Sequence, residues 1–315
     1  METDVLAART EHVPRALQSF ARSQPIVIPT ETVYGLAAPI RDTKALERIY
    51  AIKGRPQDNP LIVHIANLNE LELLAQTLPA YAPALFDAFW PGPLTVVLAA
   101  KEPLYGITST QNTIAVRMPA HAFTQALINV TGPLAAPSAN LSGRPSPTTA
   151  QHCLQDLSGA VELIFDGGDV SYGVESTVLD LTQNPPCILR PGVITQDMIE
   201  AVIKAPCQNA TISEKSPGTR YAHYQPDARV ILHEDPSQLD PSGLGRILCI
   251  SHTPTTYATT HIALPHAPLE VAKHLYGWLR QADEQGYDTI VIQTIAKTGV
   301  GRAVMDRLER AAKDS

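Results

Sequence analysis

The sequence has little cysteine and no segment apolar enough to cross a membrane. Its 315 residues include four cysteines, scattered singly, and their spacing matches no zinc or redox motif. No run of 18 apolar residues occurs, so we expect no membrane-spanning helix. Residues 1–4, METD, are not typical of a signal peptide. Together these absences predict a cytoplasmic protein without membrane contact.

Several standard site motifs are also missing. The sequence contains no P-loop, no G-x-S-x-G nucleophile elbow and no H-E-x-x-H pattern. The glycine pairs at 243–245 and 299–301 lack the third glycine of a dinucleotide-binding loop. We therefore expect no metal site built from protein ligands alone.

Positive charge is in the minority. Lys and Arg number 24 against 31 Asp and Glu, which gives a net charge of −7. A chain of this sign is a poor general binder of nucleic acid, so we expect no stable nucleic-acid binding. An anionic ligand would need a local cluster of cations. The apolar content of 44% excludes global disorder.

Apolar runs and helical patterns alternate along the chain, which predicts an α/β fold. Strands are predicted at 26–28, 61–65, 94–98, 114–116, 163–165, 178–181, 188–189, 230–232, 247–250 and 290–292. Helices are predicted after Asp42 and at 68–76, 82–89, 120–129, 147–157, 195–204, 267–284 and from about 300. The Pro-, Ser- and Gly-rich segment 205–226 predicts a linker between a domain over 1–204 and a smaller, mainly parallel domain over 227–315.

Two cations stand close together in the segment KGRPQDNPLIVH, which begins at Lys53. Glycine and proline exclude a regular helix here. In an extended segment, residues two apart point the same way, so Lys53 and Arg55 would face one side and suit a polyphosphate. For a bare Lys-x-Arg pair, a solvated charged loop is the more ordinary explanation.

Small and polar residues are concentrated in the segment AAPSANLSGRPS at 135–146. Small side chains let a ligand approach the backbone closely. Ser138 and Asn140 are two apart and could bind phosphate oxygens or a base edge. An ordinary Ser/Asn turn accounts for the same letters equally well.

Other polar groups stand where predicted strands end, which is where ligands bind in open α/β sheets. Residues 29–36 follow the first predicted strand, and Arg117 and Arg190 each end an apolar run. A capped turn or a surface arginine is the alternative. The predicted linker carries two tyrosines and a histidine within 221–224, which favours docking onto a domain face or a ligand base.

Together these segments resemble the threonylcarbamoyl-AMP synthase family, in its long form with a YrdC-like catalytic domain and a C-terminal domain. The resemblance runs through PTETVYGL, KGRPxxNPLIVHI, FWPGPLT, RMP, PSANxSGxPSPT, GVESTV, LRPG, SPGxxYxHYxP and GxGRAVMxRLxRAA. It covers nearly the whole chain in order. Ala222 in the linker departs from the pattern, and residues 234–286 show no recognisable motif.

The resemblance implies a twisted mixed α/β sheet with flanking helices, followed by a Rossmann-like second domain. It implies that L-threonine, bicarbonate or CO2, and ATP are converted to threonylcarbamoyl-AMP and pyrophosphate, for threonylcarbamoyladenosine modification of tRNA. A separate tRNA threonylcarbamoyl transferase would take the product. Mg²⁺ would accompany ATP, and no residue would act as a covalent nucleophile.

The resemblance also implies residue roles. Lys53 and Arg55 would be catalytic and would bind the triphosphate together with Arg190. The other nucleotide-binding residues would be Asn59, Thr113, Ser138, Asn140, Ser146 and Tyr224. The threonine-binding residues would be Thr32, His64, Arg117, Ala136 and Ser176. Residues 216–226 would form a lid over the nucleotide.

Three other interpretations stay open. The chain could be a double-stranded RNA-binding module without catalysis, although its net charge argues against this. It could be a related carbamoyl-adenylate enzyme acting on another amine or on carbamoyl phosphate, but it lacks the cysteine pattern of such enzymes. It could be an inactive paralogue, which the intact Lys-x-Arg and Ser-x-Asn pairs make unattractive.

Overall fold

The computed structural model describes residues 2–109, 111–210 and 224–312. Residues 211–223 of the predicted linker, which include 216–223 of the predicted lid, therefore lie outside the described residues. No helix within the described ranges is long and apolar enough to cross a membrane.

The first part of the chain folds into one large mixed sheet with helices packed against it. Its strands are β1 (Asp4–Ala7), β2 (Ile26–Ile28), β3 (Gly35–Pro39), β4 (Val63–His64), β5 (Leu94–Ala99), β6 (Thr113–Arg117), β7 (Leu134–Ala135), β8 (Leu163–Asp166), β9 (Thr177–Asp180), β10 (Cys187–Arg190) and β11 (Gln208–Asn209). Its helices are α1 (Val13–Ala21), α2 (Thr43–Lys53), α3 (Leu68–Leu74), α4 (Ala82–Phe89), α5 (Ala122–Thr131), α6 (Ala150–Leu157) and α7 (Gln196–Ile203). Among the described residues the strand order is β1-β8-β2-β3-β7-β4-β6-β5-β9-β10-β11.

The second part forms a smaller parallel sheet. Its elements are β12 (Arg229–His233), β13 (Ile247–Ser251), β14 (Thr260–Ala263), α8 (Pro268–Glu284), β15 (Thr289–Gln293) and α9 (Val300–Ala311). The strand order is β12-β15-β13-β14, and each described pairing is parallel. This arrangement confirms the predicted α/β class with a parallel second sheet.

Local sequence signals account for several of these elements. Asp42 caps α2 as predicted, because its carboxylate accepts from the backbone N–H of Ala45 at 3.0 Å. The predicted strand 61–65 shortens to β4. Elements as short as β7 and β11 were not predicted, since two residues show no periodicity.

The prediction that Lys53 and Arg55 alternate along an extended segment is wrong. Lys53 is the last residue of α2, and Gly54 follows it in the left-handed region, with φ of 60°. Glycine adopts this conformation without steric cost and so ends the helix. The turn at Gly54, and not the alternation of a strand, determines how the side chains of Lys53 and Arg55 are oriented.

The start of the predicted linker belongs to the large sheet. Gln208–Asn209, β11, pair in parallel with β10, beyond the predicted boundary at residue 204. After the linker, the N–H of Gln225 donates to the carbonyl of Gly143 at 2.8 Å. The chain thus leaves the first sheet later than predicted and contacts it again as it enters the second.

Apolar side chains join the two parts of the molecule. One buried cluster combines Val33, Val174 and Val193 of the first part with α8 and α9 of the second. Gly173, with φ of 76°, lies directly against the backbone of Lys273 in α8, where a Cβ would collide. This close approach places the segment just before β9 against the second part of the molecule.

Candidate active site

A cavity of about 590 Å³ lies where the ends of α2, β4, β6 and β10 meet the loops after β2 and β7. All of the site residues predicted from the sequence line it: Thr32, Lys53, Arg55, Asn59, His64, Thr113, Arg117, Ala136, Ser138, Asn140, Ser146, Ser176, Arg190 and Tyr224. A volume of this size is typical of small-molecule sites. Which of these residues serve threonine and which serve ATP stays a prediction.

A buried ion pair stands at one end of the cavity. Arg117, the last residue of β6, donates from Nη2 to Oε1 of Glu31 at 2.6 Å and from Nη1 to Oγ1 of Thr32 at 2.8 Å. Burial works against ionisation of Glu31, but the Arg117 charge and the hydrogen bonds that the carboxylate accepts together lower the pKa of the carboxyl. The Glu31 carboxylate also accepts from the N–H of Ala120. The Arg117 guanidinium is therefore held in a fixed position in the cavity lining.

His64 stands near this pair, on β4. Burial, reinforced by the Arg117 charge, lowers the pKa of His64 to about 3, so the ring is neutral at physiological pH. Its Nδ1 lies 3.2 Å from the carbonyl oxygen of Ile62, which can only accept. Nδ1 therefore carries the proton, and Nε2 is left as a hydrogen-bond acceptor.

Other cations also line the cavity, among them Lys53, Arg55 and Arg190. Lys53 donates to the carbonyls of Ser138 and Asn140, each at 2.5 Å. Arg55 donates to the carbonyls of Asn59 and Pro60, at 3.0 and 3.2 Å. These hydrogen bonds tie the end of α2 to both loops that carry the predicted nucleotide-binding residues.

Arg190, at the end of β10, follows the same pattern. It donates from Nε and Nη2 to the carbonyl of Ser176, at 3.2 and 3.0 Å. Among the described residues, the hydrogen-bond partners of Lys53, Arg55 and Arg190 are thus mainly neutral carbonyls.

The three cations also disfavour one another's charge. Burial first, and then the Arg55 charge, lowers the pKa of Lys53 to about 7. Burial likewise lowers the pKa of Arg55, and the Arg190 charge adds to the effect. Positive groups in a poorly solvated cavity are stabilised by a bound polyanion.

The loop after β7 forms another wall. It lies against Gly35, where a Cβ would come within 3.2 Å of the Ala136 Cβ. Asn140 donates from Nδ2 to the carbonyls of Leu141 and Arg144, at 2.8 and 2.9 Å. Its buried Oδ1 has no hydrogen-bond partner within the described part of the chain. The side-chain amide of Asn140 is thus held within its own loop by its two donor hydrogens.

Glu175 was not predicted as a site residue, yet it lines the same wall. Burial opposes its ionisation, but the charges of Arg307 and Arg190 outweigh that effect and lower its pKa to about 2. The carboxylate accepts from Ser146 Oγ at 2.6 Å and from the hydroxyl of Tyr276 at 2.9 and 3.0 Å. It thus links a predicted ligand-binding hydroxyl to the second part of the molecule.

Tyr224 closes the cavity from the side of the second part. Its ring centroid lies 5.3 Å from that of Tyr276, and the Arg307 guanidinium lies 5.8 Å from its ring centroid. Tyr224 is the first described residue of the predicted lid, whose residues 216–223 fall outside the described ranges.

Two family models together match most of the chain. A model described as "Telomere recombination", which covers the Sua5, YciO and YrdC proteins, matches residues 18–192. A model described as "Threonylcarbamoyl-AMP synthase, C-terminal domain" matches residues 194–313.

Curated relatives are similar over nearly their full length. The threonylcarbamoyl-AMP synthase of Pyrococcus abyssi is 42% identical, over 91% of this chain and 90% of the relative. That of Bacillus subtilis is 41% identical, over 98% and 95%. This chain belongs to the threonylcarbamoyl-AMP synthase family. The predicted resemblance is confirmed.

A solved structure of the family has the same fold. The crystal structure of P. abyssi Sua5 complexed with L-threonine is 38% identical to this chain, covers 98% of both chains and superposes with a TM-score of 0.90. Escherichia coli YciO, 25% identical, matches over 60% of this chain with a TM-score of 0.54. The predicted YrdC-like sheet and two-part layout are confirmed.

Sequence reasoning missed four residues that organise the threonylcarbamoyl-AMP synthase site in this chain. Glu31 and Glu175 stand beside the predicted residues Thr32 and Ser176, within the motifs PTETVYGL and GVESTV. An acidic residue inside an otherwise uncharged motif was the available signal. Arg307 lies in the motif GxGRAVMxRLxRAA, but neither it nor Tyr276 carried a signal of its partner Glu175, which is more than 100 positions away.

Proposed function

We propose that this chain converts L-threonine, bicarbonate or CO2, and ATP to threonylcarbamoyl-AMP and pyrophosphate. The family assignment supports this reaction. The observation that carries the proposal is the cluster of Lys53, Arg55 and Arg190, whose partners among the described residues are mainly neutral carbonyls. A triphosphate supplies the missing negative charge.

The reaction proceeds in two steps that balance without a covalent enzyme intermediate. The neutral amine of threonine adds to CO2 and loses a proton, giving a carbamate. A carbamate oxygen then attacks the α-phosphorus of ATP, and the bond to the β-phosphate bridging oxygen breaks to release pyrophosphate. The residues contribute placement and charge neutralisation.

The end of the cavity around Arg117 fits the amino acid. A guanidinium held by Glu31 and Thr32 can receive a carboxylate, and the neutral His64 accepts a hydrogen bond from an amine or hydroxyl. The similar P. abyssi Sua5 was crystallised in complex with L-threonine, which supports an amino-acid site in this fold. We therefore assign this end to threonine and the cation cluster to the phosphates.

Magnesium enters the proposal as the companion of ATP. Within the described ranges, no three His, Cys, Asp or Glu side chains form a group that could hold a metal ion. We therefore propose an ion held mainly by phosphate oxygens and water, as Mg²⁺ at nucleotide sites usually is. Bound in that way, Mg²⁺ would neutralise phosphate charge beside Lys53 and Arg55.

We propose that the reaction takes place in the cytoplasm. A separate tRNA threonylcarbamoyl transferase then uses the product. All four cysteines are buried free thiols, which is typical of a reducing compartment. A net charge of −7 supports a division of labour in which this chain does not hold tRNA itself.

Pyrophosphate release tests the proposal. Release from ATP and bicarbonate is measured with L-threonine, with L-serine and without an amino acid. We expect release that depends on threonine, together with threonylcarbamoyl-AMP identified by mass. Pyrophosphate release that does not depend on the amino acid would contradict the proposed reaction.

The double-stranded RNA-binding module is not favoured. Its cavity residues would contact RNA phosphates without turnover, and affinity would fall steeply with salt. The same preparation can be titrated with duplex RNA at two salt concentrations. Absence of pyrophosphate release combined with salt-sensitive RNA binding is the result that would support this alternative.

A further inference from the structure

The second part of the molecule reaches the cavity through one carboxylate. Glu175, just before β9, accepts from Arg307 Nε at 2.9 Å and from the hydroxyl of Tyr276 at 2.9 and 3.0 Å. Tyr276 belongs to α8 and Arg307 to α9. On its other side, Glu175 accepts from Ser146 Oγ at 2.6 Å. A continuous chain of hydrogen bonds therefore runs from α8 and α9 to a cavity hydroxyl.

The ionised state of Glu175 fixes the direction of these hydrogen bonds. Arg307 and Arg190 overcome burial and keep the pKa of Glu175 at about 2, so the carboxylate only accepts. Ser146 has a single hydroxyl proton, and it donates that proton to Glu175. Its lone pairs are what remain for the cavity.

Asn140, on the same loop, also has its donor hydrogens engaged by neighbouring groups. Its amide hydrogens go to the carbonyls of Leu141 and Arg144, and its buried Oδ1 has no partner among the described residues. Ser146 thus offers an acceptor to the cavity, whereas phosphate oxygens need donors. The ligand groups that match it are the donors of a nucleoside, its ribose hydroxyls and base amino group.

We propose that Tyr276 and Arg307 are positioning residues for the nucleoside part of ATP, acting through Glu175 to hold Ser146 as an acceptor. The second part of the molecule then governs ATP affinity and leaves threonine affinity alone. This inference rests on the proposed function for the identity of the nucleotide.

A second contact braces the same loop. Arg280, one turn after Tyr276 on α8, donates from Nη2 to the carbonyl of Pro145 at 2.6 Å. It also forms a two-pronged ion pair with the buried Asp156, at 2.8 and 3.2 Å. The residue immediately before Ser146 is therefore held from α8 as well, so α8 fixes both the backbone and the hydroxyl of this wall.

The test is Tyr276→Phe, which removes one hydroxyl and keeps the buried ring. Tyr287→Phe is the matched control, because Tyr287 is also buried and its hydroxyl bonds Thr260 within the second part, away from the cavity. We expect Tyr276→Phe to raise the KM for ATP about threefold to tenfold and to leave the KM for threonine within about twofold. Tyr287→Phe should change neither.

A double-mutant cycle with Ser146→Ala identifies the route. If the effect passes through Ser146, adding Tyr276→Phe to the Ser146→Ala variant should not raise the KM for ATP further. Additive effects, equal rises in both KM values, or an unchanged KM for ATP in Tyr276→Phe would overturn the proposal. Melting temperatures of the variants show whether lost folding accounts for a change.

ATP binding measured by calorimetry separates this inference from the proposed function. If the unaltered protein binds ATP but shows no threonine-dependent turnover, the proposed reaction fails. The ATP dissociation constants of the variants then still test the relay, by which we mean the chain of hydrogen bonds from Tyr276 and Arg307 through Glu175 to Ser146. If it turns over normally and Tyr276→Phe behaves like Tyr287→Phe, the relay alone fails. If it binds no ATP at all, both proposals are wrong.

Discussion

Two buried carboxylate–arginine pairs stand beside the cavity and face it in opposite ways. In the Glu31–Arg117 pair, at 2.6 Å, the arginine lines the cavity and the carboxylate lies behind it. In the Glu175–Arg307 pair, at 2.9 Å, the carboxylate lines the cavity and the arginine lies behind. The first pair therefore presents its donor to the cavity, and the second presents its acceptor.

The pairs also differ in where their members come from. Glu31 and Arg117 both belong to the first part of the chain, so this pair contains no residue of the second part. Glu175 depends on Arg307 and Tyr276, which lie on α9 and α8. One sheet thus builds the predicted threonine end, whereas the predicted nucleotide end needs both parts of the molecule.

The largest expected effect comes from breaking the pair within the first part. Arg117→Met leaves Glu31 buried without its cation, which typically costs about 3–5 kcal/mol of unfolding free energy. It also removes the guanidinium that we assign to the threonine carboxylate. We expect a large drop in melting temperature and no measurable threonine binding by calorimetry.

An exposed ion pair is the control for that change. Arg41 and Glu102 are 68% and 47% exposed and lie 2.7 Å apart. Arg41→Met should alter the unfolding free energy by no more than about 1 kcal/mol. A stability loss in Arg117→Met as small as that in Arg41→Met would show that the buried pair contributes little.

A cation whose hydrogen bonds within the described ranges go mainly to carbonyls should behave differently from Arg117. Lys53→Ala and Arg55→Ala remove groups held mainly by carbonyls, and we expect stability losses smaller than that of Arg117→Met. Both should abolish pyrophosphate release while threonine binding stays measurable. Normal turnover in both variants would refute the phosphate assignment.

Acid should weaken both ends of the cavity. The pKa of Glu175 is about 2 and that of His64 about 3, each below its ordinary value, because of the Arg307 charge and of burial respectively. The unfolded chain then takes up more protons than the folded one. Unfolding free energy should therefore fall below about pH 6.5 through His64, and fall further below about pH 4.5 through Glu175.

Urea unfolding at several pH values checks this. Between pH 7 and pH 5 the His64 contribution should amount to about 2 kcal/mol. His64→Gln should flatten that part of the profile, whereas His274→Gln, at an exposed position on α8, should not. Burial also lowers the pKa of His152, to about 4, so some slope should remain in His64→Gln. An unchanged slope in His64→Gln would contradict the assignment.

The sequence predicted the members of the site better than their partners. Arg117 and Arg190 were found because polar residues at strand ends converge in α/β sheets. Lys53 and Arg55 were found for the wrong geometric reason, since a left-handed glycine and not a strand places them.

The missed residues show what sequence patterns leave out. The Arg307–Glu175 bond joins α9 to a loop before β9, and nothing in the local letters encodes such a distance. Short strands such as β7 and β11 exist because neighbouring strands pair with them, which is a tertiary property. Tertiary packing determines both the Arg307–Glu175 bond and the short strands, and a single sequence does not reveal which distant residues pack together.

The smallest effect should come from a hydroxyl that neither pair controls. Ser176 Oγ lies 2.7 Å from Thr95 Oγ1 and 3.3 Å from Arg190 Nη2, while the Ser176 carbonyl is what mainly holds Arg190. Ser176→Ala keeps that carbonyl, so it should cost about 1 kcal/mol of unfolding free energy and leave the KM for ATP nearly unchanged. Because Ser176 is assigned to threonine, the KM for threonine should rise. A rise in the KM for ATP instead would place Ser176 on the nucleotide side, and the division between the two ends would have to be redrawn.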